Sequence, residues 1–430
     1  MIAQVLAAVA GRAEGADATR KTDDTLAVTL DDGDAVAISH QHEEQVFLRV
    51  LVEGRVGRAE AGTNDTTALA TAALNSAAHG PELPLLFPGW SPLPTVTVNY
   101  PRAAAAQSDD LTRLGRALTE RLRADGRRIQ VSVERSSGAV AVGNSRGVEA
   151  RYQVSCIAVD VAVEFDADSM RRVRAGWTGA DLPDEAVLTD LAAQLETQIR
   201  WSAKPVTVVR PPRVLLLPEA LAVLLSPLRQ VLAGESALTR VAGGQDQVGE
   251  PWLSPLFTFW DDPLMDGRPA SRPIDDECVP CWRQPLVKEG RRQRTLVDLE
   301  TGALAGVPAT GHARRTIGGR PRAGWSNIVM DAGAGSDADL LARAGEGLVV
   351  GVLSGGPLAR GGTFSLPIGL GWGISAGEIT GRIDSAILAG NSFDMLRQIV
   401  AVGSERRWVG SQYLPSVLVD GLRFATRRAA

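Results

Sequence analysis

The chain has 430 residues, 44% hydrophobic and 22% charged, with a formal net charge of −5. That length and apolar content support a large core, expected as two domains, and the acidic balance gives no electrostatic footprint for nucleic acid. No apolar run approaches the roughly 20 residues a membrane helix needs, and three cysteines in so long a chain do not make a disulfide scaffold.

The opening MIAQVLAAVAGRAEGA lacks a basic leader region and meets charges at once, so it reads as an N-terminal helix and the expected location is the cytoplasm. From Thr25 to Gly57 the pattern is strand, DDGD reversal, AVAIS and VFLRVLVEGRVG. A helix rich in alanine is expected over about Thr67 to Ala78, and the proline-heavy Pro81 to Pro101 reads as an irregular connection. Ser108, Asp109 and Asp110 offer capping oxygens to a helix that places Leu111, Leu114, Leu118 and Leu122 on one face. Ile129 to Phe165 alternates as strands around turns at Ser136–Gly138 and Gly143–Gly147. Behind Pro183 and Asp184, a second helix aligns Val187, Leu188, Leu191, Leu195 and Ile199.

KPVTVVRPPR, at Lys204 to Arg213, breaks this pattern. The expected architecture is α+β: an N-terminal α/β domain, 1–205, with helices on a mostly antiparallel sheet, then a mainly β domain, 206–430, barrel- or sandwich-like. LLLPEALAVLLSPLRQVLAG reads as a strand running into an apolar helix. Beyond it the chain is rich in glycine, proline and tryptophan, and between Gly345 and Glu405 it reads as a meander of short strands with tight reversals.

Several short patterns resemble sites without completing one. Gly373-Ile-Ser-Ala-Gly377 has the nucleophile-elbow spacing, but no histidine follows His312, so it reads as a turn between strands. His40, His42 and Glu43 begin a zinc-like signature, yet Val46 stands where the helical second histidine belongs, and a surface turn is expected. His79 lies in a loop with no partner histidine nearby. Cys278 and Cys281 form a single C-x-x-C with no second pair for a zinc ribbon. They read as structural thiols, with a redox pair or metal site as alternatives. Asp261, Asp262, Asp275, Asp276 and Glu277 make a carboxylate cluster that could take a hard cation, but reads first as turn caps and partners for nearby arginines.

Longer stretches carry a resemblance. QVGEPWLSPLFTFWDDPLMDGRPASRPIDDECVPCWRQPLVKEG, PATGHARR, PRAGWSNIVM, GGTFSLPIGLGWGISAGEITG and ILAGNSFDMLRQIVAVGS resemble, in order, the TldD/PmbA family of peptidase-related proteins, and FLRVLVEGRVGRAEAG is similar to its first-domain strand and turn. Cys278 departs from the family's usual glycine and His312 from its usual asparagine. The resemblance implies two kinds of subunit. The TldD type carries H-E-x-x-x-H on a helix for zinc, with a later cysteine; the PmbA or TldE type lacks these ligands. Aligned on that helix, this chain has Ser226 and Pro227 at the His-Glu positions and Val231 at the second histidine, and GSQYLPSVLVDGL supplies no late cysteine. The resemblance therefore implies a metal-free, non-catalytic TldE-like subunit with no catalytic residue of its own. Zinc is expected in a TldD-type partner, and a peptide is expected as the shared substrate. Gly355, Gly356, Gly362, Thr363, Phe364 and Ser365 are the expected peptide-contacting stretch, because glycine lets a backbone approach closely. The alternatives are an independent enzyme using Cys278 and Cys281, or a stand-alone peptide-binding protein.

Overall fold

From Gly15 to Gly179 apolar and polar side chains alternate over long runs, a period that builds sheet. The computed structural model describes residues 1–62, 65–165, 171–208, 213–238, 248–315, 319–356 and 358–426. A short helix α1 (Ile2–Ala7) leads into β1 (Gly15–Asp31), β2 (Asp34–Val52) and β3 (Arg55–Ala61). Helices α2 (Thr66–Ala77), α3 (Pro101–Ala104) and α4 (Ser108–Leu122) follow, then β4 (Arg128–Asn144), β5 (Glu149–Glu164), β6 (Arg172–Gly179) and α5 (Glu185–Trp201). The six strands form one antiparallel sheet in the order β3-β2-β1-β4-β5-β6.

Local chemistry sets the ends of these elements. Asp32 and Gly33, both at positive φ, turn β1 into β2. Asp184 caps α5 by accepting the Val187 N–H at 3.0 Å. At α4 the cap works from inside the helix: the Asp110 carboxylate accepts the Gln107 N–H at 3.0 Å, while Ser108 already belongs to the first turn. Two expected turns are strand instead. His40 and His42 lie exposed within β2, with His40 Nε2 2.8 Å from Asp24, because β1 pairs straight across them. Ser136–Gly138 runs through β4 in unbroken register with β1 and β5. A Cβ on Gly138 would stand 2.1 Å from the Thr22 carbonyl oxygen, so that glycine serves close strand approach, not reversal.

The second half continues with β7 (Pro205–Val206), β8 (Arg213–Leu216), α6 (Pro218–Leu224), α7 (Ser226–Val231), β9 (Phe259–Asp261), β10 (Gln284–Lys288), β11 (Arg291–Arg292) and α8 (Leu299–Ala305). Next come β12 (Ala313–Arg315), β13 (Pro321–Ala323), β14 (Ile328–Met330), α9 (Asp337–Ala344), β15 (Gly347–Leu353) and β16 (Thr363–Ser375). The chain closes with β17 (Glu378–Ile383), β18 (Ala386–Asn391), α10 (Ser392–Arg397), β19 (Ile399–Val409), β20 (Gln412–Val419) and β21 (Arg423–Thr426). Thirteen strands join one sheet along β11-β10-β9-β14-β20-β8-β15-β16-β17-β7, with β19 beside β20 and β18 and β21 extending from β16. Among the described residues the sheet stays open, not closed into a barrel, and β12 and β13 form a separate pair. Helices α8, α9 and α10 interrupt what the sequence reads as mainly strand; α9 and α10 are capped by Ser336 and Asn391. Among the described residues, no helix is long and apolar enough to cross a membrane.

Two cores hold this arrangement. β8 and β15 are buried on both faces: Val214, Leu216, Leu348 and Val350 point into one core with α6 and α7, while Leu215 and Val349 point into the other. That second core continues through Trp372 to Leu118 and Leu195 of α4 and α5 and to Val28 and Val133 of the first sheet. The two sheets therefore share one apolar layer. Trp372 is fully buried, donates its indole N–H to Ser202 Oγ at 3.0 Å, and meets Trp201 edge-on at 5.2 Å. Trp372→Ala is expected to destabilise the chain by about 3–5 kcal/mol. In urea, tryptophan fluorescence and far-UV dichroism should shift to lower midpoints together, since the lost contacts belong to both halves.

Candidate functional site

The face of the first sheet opposite its helices is polar and yet buried. Ala16 and Ala18 of β1 point toward α1 and α2, so Asp17, Thr19 and Lys21 project to the other side beside Phe47 and Arg49 of β2. Asp17, Thr19, Phe47 and Arg49 have no exposure at all. What covers them is the carboxylate-rich segment from the second half. Arg49 binds Asp17 (2.5 Å), Glu277 (2.6 Å) and Glu300 (3.4 Å), and its guanidinium lies over the Phe87 ring. Asp17 also pairs with Arg315, Lys21 Nζ reaches Asp276 at 2.5 Å, and Arg58 reaches Glu300. Thr19 Oγ1 donates to the Asp276 carbonyl at 3.0 Å.

The carboxylates there are structural. Asp275 accepts the N–H groups of Glu277, Val279 and Ala313, each at 2.9 Å, and so fixes the fold of its own loop. Asp261 accepts from Ser326 N–H at 2.8 Å and holds His312 Nε2 at 2.9 Å, while His312 Nδ1 faces the Thr310 carbonyl. Burial raises Asp275 to about 6 against the pull of Arg272. Burial would raise Asp17 as well, but Arg315 and Arg49 hold it below the usual carboxylate range. Glu277 is pushed up to about 8 by burial, against Arg49 and with Asp275, Asp298 and Asp17 close by. Among the described residues, no group of three or more His, Cys, Asp or Glu is arranged to hold a metal ion.

The C-x-x-C thiols are free and buried. Cys278 sits at φ 65, a conformation that favours glycine, and its side chain packs with Val142, Val148 and Ile274. Cys281 donates to the Gly311 carbonyl at 2.9 Å. Burial raises both thiols, Cys281 to about 12, the reverse of what a nucleophile needs. Gly373–Gly377 is a hairpin turn with Ala376 and Gly377 at positive φ, and Ser375 Oγ donates to Glu346 at 2.9 Å.

A cavity of about 540 Å³ opens beside this junction. Ser226, Arg229 and Gln230 of α7 line it, together with Glu235, Asp298, Thr301, Pro321 to Ala323 of β13, Trp325, Leu358 and Arg360. The helix is amphipathic about that wall: Pro227, Leu228 and Val231 turn into the core. Ser226 Oγ accepts the Leu358 N–H at 3.3 Å, and Gln230 donates to the Leu358 carbonyl at 2.6 Å, tying α7 to the glycine-rich loop. Zinc does not fit this donor set. The residues facing the cavity from α7 offer a hydroxyl, a guanidinium and an amide, and Asp298 is already engaged by the N–H groups of Thr301 and Ala323. Of the peptide-contacting stretch expected from sequence, Gly355 and Gly356 are exposed and Gly362 is buried at positive φ against Phe393. Thr363 and Ser365 are exposed on β16 and Phe364 enters the core. Leu358 and Arg360, between those glycines, are the loop residues on the cavity wall. Arg229, Arg320 and Arg322 escaped the sequence reading. Arg229 lies within the apolar helix, whereas Arg320 and Arg322 stand far downstream and only the fold brings them to it.

The family described as "PmbA/TldA metallopeptidase C-terminal domain" matches residues 211–426. The chain is 27% identical over 296 residues to the metalloprotease PmbA of Escherichia coli O157:H7, covering 67% of this chain and 62% of that protein. It is 31% identical over 161 residues to a metalloprotease TldD homolog of Haemophilus influenzae, covering 37% of this chain and 33% of that protein. These matches thus span about one third to three fifths of those relatives' lengths. In fold it is similar to the crystal structure of TldE from Thermococcus kodakarensis, with a TM-score of 0.84, 19% identity, and 96% of this chain and 97% of that one covered. A putative modulator of a DNA gyrase from Thermotoga maritima matches with a TM-score of 0.84, 21% identity and 98% and 99% coverage.

Two outcomes test this description of the junction. A carboxyl whose folded pKa lies above its unfolded value near 4.5 stabilises the fold most when protonated. Glu277 therefore contributes fully below about 4.5, and its contribution is lost as pH rises toward 8. Glu277→Gln should flatten the decline of the urea midpoint across that window. Native chain should also leave Cys278 and Cys281 unreacted with Ellman's reagent at neutral pH, and unfolded chain should release both.

Proposed function

The chain belongs to the PmbA/TldD family, and from that we propose that it is a metal-free, TldE-like subunit completing the peptide chamber of a TldD-type zinc metallopeptidase. The observation that carries this reading is α7. The helix keeps its place in the core through Pro227, Leu228 and Val231, while its cavity-facing side chains Ser226, Arg229 and Gln230 can neither hold zinc nor serve as a general base. On this reading a zinc held by the partner would supply the hydrolytic chemistry, and this chain binds and positions the peptide.

The route for holding a peptide is strand addition. β13 pairs only with β12 among the described strands, and Pro321, Arg322 and Ala323 line the cavity. An extended peptide along that edge takes affinity from its own N–H groups donated to strand carbonyls, since Pro321 has no N–H and the Ala323 N–H is held by Asp298, and selectivity from side-chain pockets. Leu358 and Arg360 bring the glycine-rich loop to the same cavity, whereas Gly355, Gly356, Gly362, Thr363, Phe364 and Ser365 do not line it. The buried thiols do not favour an independent cysteine enzyme.

Co-expression with the TldD-type chain of the same organism tests the reading. The expected outcome is a stable hetero-oligomer in which peptide cleavage and stoichiometric zinc depend on the TldD-type chain, while this chain alone binds zinc substoichiometrically. Two chains that elute separately, or cleavage by this chain alone, would overturn it.

A further inference from the structure

We infer that the cavity beside α7 is a carboxylate-recognition pocket, in which Arg229, Arg322 and Arg360 engage a carboxylate of the bound peptide. The inference rests on the peptide-holding role proposed above and names the chemistry that the pocket selects. Four arginines and two acids line the cavity. The acids are already occupied. Glu235 holds Arg320 at 3.3 Å, and Asp298 caps α8 through Thr301 N–H at 2.8 Å and accepts Ala323 N–H at 3.2 Å. Arg320 is further held by Glu300 at 3.5 Å. Among the described residues, the guanidinium groups of Arg229, Arg322 and Arg360 form no ion pair, the buried Asp261 attracting Arg229 without contacting it.

Arg229 is the most telling of the three. It is half-buried, its Nε is sealed from solvent with no hydrogen-bond partner, and its guanidinium stacks on Trp325 at 5.7 Å from the ring centroid. Arg49 and Arg315, placed deeper, are matched by carboxylates, whereas the equally buried Arg272 has two guanidinium nitrogens without a hydrogen-bond partner among the described residues. A guanidinium held partly dehydrated against an aromatic face, without a counter-ion of its own, is suited to receive one from a ligand. Arg322 and Arg360 stand exposed at the cavity and supply the attracting field and further donors. Closure of Trp325 and Leu358 around the site lowers the local dielectric, so the contact is worth more there than in open water. The carboxylate has two sources, an acidic side chain or a free peptide C-terminus.

Fluorescence polarisation on the purified hetero-oligomer, with the partner's zinc-site glutamate changed to glutamine, separates them. The probes are four labelled, unstructured ten-residue Gly/Ser/Ala peptides: internal Glu or Gln, each with a free or amidated C-terminus. Carboxylate-bearing peptides should bind about tenfold or more tightly than the doubly neutral one. The position of that gain, internal or terminal, identifies the source. Arg229→Gln should collapse the ratio toward one, and Arg322→Gln with Arg360→Gln, at exposed positions that carry no fold risk, should reduce it. Equal binding of all four peptides, or an unchanged ratio in these variants, would overturn the inference and leave the peptide-holding role standing. If no peptide binds, charged or neutral, both fall.

Discussion

Everything in this fold turns on the guanidinium of Arg49. It is sealed from solvent on the face of the first sheet that would otherwise meet water, and three carboxylates from two distant parts of the chain converge on it. Removing such a group from water costs several kcal/mol, so it is tolerated only where ion pairs and hydrogen bonds replace the lost solvation. Here Asp17 comes from the neighbouring strand, whereas Glu277 and Glu300 come from the second half. The two halves therefore close over one another as a condition of satisfying the charge, and the shared apolar layer through Trp372 closes the opposite side. An apolar face could slide; a network of directional pairs fixes register.

That constraint also explains which parts of the structure the sequence discloses. Long strands, the two leucine-striped helices and the irregular proline segment follow from period and capping, which are local. The polar side of β1 and β2 does not. The sequence reading gives the opening sixteen residues to a helix and starts its first strand at Thr25, whereas α1 ends at Ala7 and β1 begins at Gly15, so the burial of Asp17 and Thr19 goes unread. The partner that buries them lies more than two hundred residues away. The same distance hides the purpose of IDDECVPC, whose carboxylates look like a cation site until Lys21, Arg49 and the Ala313 and Arg315 N–H groups are in place. Gly138 and His40 mislead for a related reason. A glycine or a histidine pair marks a turn only if no third strand pairs across it, and β1 pairs across both.

Cys278 shows the opposite case, where a residue out of pattern still reports the backbone beneath it. Its left-handed conformation is one that glycine adopts freely, and a cysteine there accepts strain in return for filling the small apolar space between Val142, Val148 and Ile274. The thiol is thereby removed from chemistry twice, by burial and by its acidic neighbours Asp17 and Asp275.

The helix α7 separates fold from chemistry by its two sides. Pro227, Leu228 and Val231 are buried, Leu228 in the apolar core, so the helix remains where the architecture requires it whatever the other side carries. Ser226, Arg229 and Gln230 answer only to the cavity. Arg229 faces the cavity from α7, and Arg320, Arg322 and Arg360 line it as well. With the cavity's own acids already committed to Arg320 and to the start of α8, the surplus is positive. The same charges that repel a cation are, under the peptide-holding role proposed above, the ones that attract a carboxylate.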